Sequence, residues 1–281
     1  MSEIPAEGEP LLFDDPAQRG DGDFGTRFGL LPREKIELMT RRRMLAAVTA
    51  FDRAQFQPAS LDLRLGARAY RVRASFLPGR NRNVADLLHE TGVDKIDLTG
   101  EGAILERGCV YVVPLQEHLA LPPSIAAVAN PKSSTGRLDI FTRLITDRAE
   151  KFDAAASGYH GPLYAEVSPR SFSVRVRQGS KLNQIRFRRL NSQQIGQTRF
   201  ELPDRELQTR HDTTPLVDGE LALDYGLIVR VALAQESLGD LIGYRAQKHT
   251  DVIDVDRVGG YAVADFWEPI RARADKRLIL D

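Results

Sequence analysis

The sequence predicts a mainly β protein, an antiparallel sandwich or barrel with few short helices. Three observations carry this. Short stretches alternate apolar and polar residues, as in Leu61-Asp-Leu-Arg-Leu65 and Phe172-Ser-Val-Arg-Val176; a period of two places successive side chains on opposite faces of a strand. The stretches end at turn signals, among them Gly66, Pro122-Pro123 and Gln178-Gly179-Ser180. Helical spacing is confined to two segments, one after Pro32 and one over 84–90.

Taken in order, residues 1–28 are rich in Gly, Pro, Asp and Glu and read as a flexible acidic tail. Pro32 opens a helix with apolar positions Ile36, Met39, Met44, Leu45, Val48 and Phe51. Arg41, Arg42 and Arg43 read as its solvated face. Gly92 is placed to cap the helix over 84–90. Strands are expected over 61–65, 104–114, 163–167, 172–176 and 182–190. Residues 191–224 are polar and read as a connection with little regular structure; 227–233 reads as a further strand. Faint matches pair Arg257-Val-Gly259 with Arg64-Leu-Gly66 and Tyr261 with Tyr70. They suggest the opening of a second, related copy, with an unrelated α+β segment as the alternative. The expected organisation is a tail over 1–28, a first domain over 29–200, and a linker with a second segment over 201–281.

Composition narrows the function. The chain has 281 residues, 42% hydrophobic and 28% charged, with zero formal net charge. Bulk attraction to nucleic acid or an anionic membrane is not implied, so anion binding must come from a local cluster. No apolar run approaches the roughly 20 residues of a membrane span, and the acidic N-terminus lacks the order of a signal peptide. A cytoplasmic location is expected. The single cysteine, Cys109, forms no intramolecular disulfide and cannot build the His/Cys/Cys zinc site of nucleobase deaminases. The five histidines are scattered. Hydrolytic chemistry here is expected to use a carboxylate base without zinc.

Three blocks carry the chemistry. Lys132-Ser-Ser-Thr-Gly-Arg137 brings together hydroxyls, backbone donors and two cations. Such a loop either makes a simple turn or holds a phosphate, and the guanidinium of Arg137 adds a planar fork for an anion. Glu166, in Leu163-Tyr-Ala-Glu-Val167, shares a strand face with Tyr164. It is either a solvated surface carboxylate or, if that face is a cleft, a general acid and base. Asp153 lies between the two blocks and suits a turn cap or a sugar hydroxyl equally. The third block, Gly179-Ser-Lys-Leu-Asn-Gln184, is a tight turn that delivers an amide into a strand.

In this order, Pro131-Lys-Ser-Ser-Thr-Gly-Arg137, Gly158-Tyr-His-Gly161 and Gly179-x-Lys-Leu-x-Gln184 resemble successive motifs of the dUTPase and dCTP deaminase superfamily. Gln57-Pro-Ala-Ser-Leu-Asp-Leu-Arg-Leu-Gly66 is similar to the opening strand motif of the dCTP deaminases. The likeness spans about residues 55–190. It implies a dUTPase-like distorted β-barrel that assembles as a trimer or pseudo-trimer with shared active sites. It implies deamination of dCTP to dUTP and ammonia, with magnesium carried by the triphosphate. Carried over by position, Glu166 would move protons, and Ser133 and Arg137 would orient water and base. Lys132, Ser134, Thr135 and Gly136 would line the triphosphate pocket. Asp153 would meet the deoxyribose, Tyr164 and Ala165 would border the base, and Gln184 would contact the nucleotide. The extra residues Ala154 to Ser157 lengthen the link after Asp153, and the family's C-terminal lid motif has no counterpart. The alternatives are a dUTP pyrophosphatase, a bifunctional enzyme, and a nucleotide-binding module without activity.

Overall fold

The structure is a computed structural model of the chain. It describes Phe24 and residues 28–90, 94–191, 202–229 and 240–272. Most of the expected tail, and the expected cap Gly92, lie outside the described residues.

The strands are β1 (Gly29–Leu30), β2 (Leu45–Ala47), β3 (Leu61–Leu63), β4 (Arg68–Val72), β5 (Asp94–Asp97), β6 (Ala103–Leu105), β7 (Val110–Ala120), β8 (Ile125–Pro131), β9 (Ile140–Thr146), β10 (Ala154–Ala155), β11 (His160–Pro169), β12 (Val174–Val176), β13 (Asn183–Arg189), β14 (Leu241–Ala246), β15 (Ile253–Asp254) and β16 (Trp267–Arg271). The α-helices are α1 (Arg33–Arg41), α2 (Val84–Glu90), α3 (Ser133–Arg137) and α4 (Asp204–Thr213). Two compact units divide the chain: residues 1–196 with 251–260, and residues 197–250 with 261–281.

In the first unit, one sheet runs β1-β13-β8-β10, with β3 also on β13. A second runs β5-β4-β7-β11-β9, with β2 also on β7. A third, β15-β12-β6, takes β15 in parallel. In the second unit α4 carries no buried residue, and β14 pairs with β16.

The strand order explains the core. β11 lies between β7 and β9, so both its edges are hydrogen-bonded. Leu163, Ala165 and Val167 are fully buried on one face, as alternation predicts. The other face, with Tyr164 and Glu166, is buried too. Tyr164 packs there with Val72, Val84, Leu88, Val112 and Ile145, and each large apolar side chain so buried stabilises by about 1.5–3 kcal/mol. The 61–65 stretch behaves alike: Asp62 and Arg64 are buried between the leucines. The Arg64 Nε donates to Glu117 Oε1 (2.8 Å), and its backbone N–H donates to Oε2 (2.9 Å). Gln55 Nε2 also donates to Oε1 (3.0 Å). Gly66 is required because a Cβ there would lie 2.6 Å from the carbonyl oxygen of Pro114.

Several expected elements differ. The helix after Pro32 stops at Arg41, because Arg43 adopts a left-handed φ of 54° and residues 45–47 pair with β7 instead. The 104–114 stretch is split into β6 and β7 by a turn through Gly108 at φ 80°. The 191–224 connection contains α4. Leu227 makes only an isolated bridge to Leu223, and 230–233 lie outside the described residues. Of the repeat-like positions, Arg257 and Gly259 fall in the segment grouped with the first unit. Beside them, Arg177 grips Asp254 through two 2.7 Å hydrogen bonds, and Ser180 Oγ donates to Asp256 Oδ2 (2.5 Å). No helix among the described residues is long and apolar enough to cross a membrane.

Candidate active site

Two clusters hold the expected site residues. The first forms where β13 lies between β3 and β8, which sets Gln184 opposite both Asp62 and Asn130. The Gln184 amide accepts from Ser60 Oγ (3.1 Å) and donates to the carbonyl of Pro131 (3.5 Å). Lys132 forms an ion pair with the buried Asp62. The next residues wind into α3, five residues long. Ser133, Ser134, Gly136 and Arg137 are exposed, and among the described residues no side-chain hydrogen bond or ion pair engages Ser133, Ser134 or Arg137. Thr135 is different: its Oγ1 donates to the carbonyl of Leu182 (2.9 Å) and is buried. That hydroxyl fastens α3 to the chain entering β13.

The second cluster surrounds Glu166, which is 2% exposed. Cross-strand register sets it beside Arg143 of β9. Arg143 Nε (3.0 Å) and Nη2 (2.6 Å) both donate to Glu166 Oε1. Glu166 Oε2 is buried and has no hydrogen-bond partner. Asp153 sits close by, at a left-handed φ of 60°. Its Oδ1 accepts from the Leu144 N–H (2.7 Å). Burial pushes its carboxyl above the ordinary aspartate value, and the negative charge of Glu166 adds to this; the Leu144 N–H and Arg143 partly oppose it.

Tyr164 and Ala165, expected to border a base, direct their side chains into the core. Burial raises the Tyr164 phenol well above its usual value. In the Gly158-Tyr-His-Gly161 motif, Tyr159 Oη donates to the Pro162 carbonyl (2.6 Å) and accepts from the Asp147 N–H (3.2 Å). Gly161, at φ 152°, lies under that ring, where a Cβ would come 2.7 Å from the Tyr159 oxygen. No hydrogen bond or ion pair joins Glu166 to Ser133 or Arg137 within the chain.

Residues 27–191 match the family model of the 2'-deoxycytidine 5'-triphosphate deaminase N-terminal domain, and 203–281 match that of its C-terminal domain. The chain belongs to the dCTP deaminase family. Membership makes it a hydrolytic enzyme. The crystal structure of 2'-deoxycytidine 5'-triphosphate deaminase from Agrobacterium tumefaciens is 47% identical, with a TM-score of 0.82 over 91% of this chain and 74% of that one. The dUTPase-like β fold expected from the motifs is thereby shared with a solved dCTP deaminase. The dCTP deaminase of Natronomonas pharaonis is 29% identical over 143 residues, 49% of this chain and 68% of its own. The relative from Persephonella marina, named "dCTP deaminase, dUMP-forming", is 27% identical over 161 residues, 56% and 82% of the two chains.

Within this dCTP deaminase family member, sequence reasoning did not single out Arg143 or Asp62. Arg143 lies in a stretch for which no strand was expected, and only the register of β9 on β11 sets it against Glu166. Asp62 stood inside the Ser-Leu-Asp-Leu-Arg motif, where alternation sets it on the face opposite the leucines without saying what lies there.

Proposed function

We propose that the chain hydrolyses dCTP to dUTP and ammonia, with Glu166 as general acid and base. The observation that carries this is the Glu166 carboxylate: buried, held through one oxygen, and with the other unbonded. A buried polar atom without a partner costs on the order of 1–3 kcal/mol, and substrate water or the base edge would satisfy it. In this scheme Glu166 accepts a proton from water as the water oxygen bonds to C4. It passes that proton to N3, then takes the proton of the resulting C4 hydroxyl and delivers it to the amino nitrogen as the C4–N bond breaks and ammonia leaves. No protein-bound zinc takes part.

Ser133 and Arg137, unengaged in the chain, would orient the water and the base. Lys132, Ser134 and the backbone at Gly136 would line the triphosphate, which enters with its magnesium. Gln184 would hold the nucleotide, and Asp153 the deoxyribose hydroxyl. A homo-oligomer, trimeric or pseudo-trimeric, with sites shared between subunits in the cytoplasm would bring one subunit's α3 to another's Glu166; the lack of any bond between them within one chain supports this.

A second reading, favoured by the dUMP-forming name of one relative, adds release of pyrophosphate from dUTP. Incubation with dCTP and with dUTP, followed by product separation, distinguishes the two. Ammonia with dUTP supports the first, dUMP with pyrophosphate the second, and no turnover refutes both. Glu166→Gln is expected to lower ammonia release roughly 10³-fold while nucleotide affinity stays within about tenfold. Full turnover by that variant removes Glu166 from the mechanism.

A further inference from the structure

We infer that Arg143 is a positioning residue that holds Glu166 in its reactive orientation; this rests on the role proposed for Glu166. The geometry is unusual for the pair. A guanidinium commonly meets a carboxylate fork to fork, engaging both oxygens. Here Nε and Nη2 converge on Oε1 alone, at 3.0 Å and 2.6 Å. The cation therefore fixes the carboxylate without covering Oε2, the atom left for chemistry.

Arg143 is itself restrained by three neighbours. Its Nη2 donates to Ser75 Oγ (2.7 Å). Its guanidinium carbon stands 3.5 Å from the centre of the Phe152 ring and 4.9 Å from that of Phe141, contacts that favour a cation. Phe141 precedes it by two residues in β9 and so shares its face. The side chain of Arg143 is 24% exposed and that of Glu166 2%, so the desolvation penalty falls mainly on the carboxylate. Among the described residues no other group donates a hydrogen bond to Glu166 Oε1 or Oε2, and the neighbouring Asp153 brings charge of the same sign. Without Arg143 the carboxylate has neither counter-charge nor fixed orientation. Of the residues proposed to bind the nucleotide, those on α3 and β13 make no hydrogen bond or ion pair with Arg143, and Asp153 keeps its bond from the Leu144 N–H, so dCTP binding survives its loss.

The test is steady-state ammonia release from dCTP by the full chain, with Glu166→Gln measured alongside. Arg143→Met is expected to lower kcat on the order of 10²-fold while KM changes less than about threefold. Phe152→Leu, which removes the ring beneath the guanidinium but keeps an apolar side chain against the core around Tyr164, is expected to lower kcat several-fold at unchanged KM. A folded Arg143→Met enzyme whose kcat stays within about threefold overturns the inference, as does a rise in KM at unchanged kcat, which would make Arg143 a substrate-binding group. Should Arg143→Met fail to fold, Phe152→Leu decides: kcat within about twofold of the parent refutes the role. Normal turnover by Glu166→Gln sinks the Glu166 mechanism itself; an inactive Glu166→Gln beside an active Arg143→Met refutes the positioning role alone.

Discussion

Glu117 and Glu166 are both buried glutamates gripped by an arginine, and they differ in what is left over. Glu117 is 0% exposed and engages both oxygens, with Arg64 side chain and backbone and with Gln55. Arg64 also donates to Thr49 Oγ1 (2.9 Å) and the Ala50 carbonyl (2.8 Å), closing the network. Glu166 is nearly as buried, yet its Oε2 has no partner. A charge taken from water needs full compensation. The Glu117 network supplies it and does structural work, whereas Glu166 retains unmet bonding capacity that a ligand can use. Burial alone does not distinguish these two carboxylates; the count of satisfied oxygens does.

The comparison breaks most readily at Arg64. Arg64→Met leaves Glu117 buried without its cation and is expected to destabilise the chain by about 3–5 kcal/mol, measured by urea unfolding. If Arg64→Met unfolds no more easily than Glu166→Gln, the distinction between the two glutamates is void. A smaller effect tests the same division inside α3. Thr135→Val removes one of two hydrogen bonds to the Leu182 carbonyl, which also accepts from the Lys132 N–H, and a loss of about 1 kcal/mol is expected; an unchanged urea midpoint would show that bond to be dispensable. The smallest effect belongs to the Arg177–Asp254 pair, half-exposed and open to water. The hydrogen bonds and charge of Arg177 hold the Asp254 carboxyl below its ordinary value. A carboxyl lowered on folding contributes stability above its unfolded pKa and loses it as pH falls. Asp254→Asn should therefore lower the thermal midpoint slightly at neutral pH, and the gap should close below about pH 4. A gap that widened in acid would reverse the sign of this account.

The candidate site was legible as motif but not as geometry. Lys132 to Arg137, Glu166 and Gln184 were selected by residue type and order along the chain. Their engagement was not: Thr135 turned inward, Lys132 paired with Asp62, and Tyr164 joined the core. Helix α2 was read to the residue because its apolar spacing is local, while α1 ended early at a backbone conformation that no periodicity encodes.

By itself the sequence determined the β class, the turns that punctuate it, and the ordered motifs that mark the family, since all depend on near neighbours along the chain. Only the tertiary structure decided that both faces of β11 are covered, that Arg143 stands against Glu166, and that residues 251–260 return to β12. Alternation states which side chains share a face. It does not state what packs on that face or which residue lies across the sheet, and strand register, a long-range property, settles both.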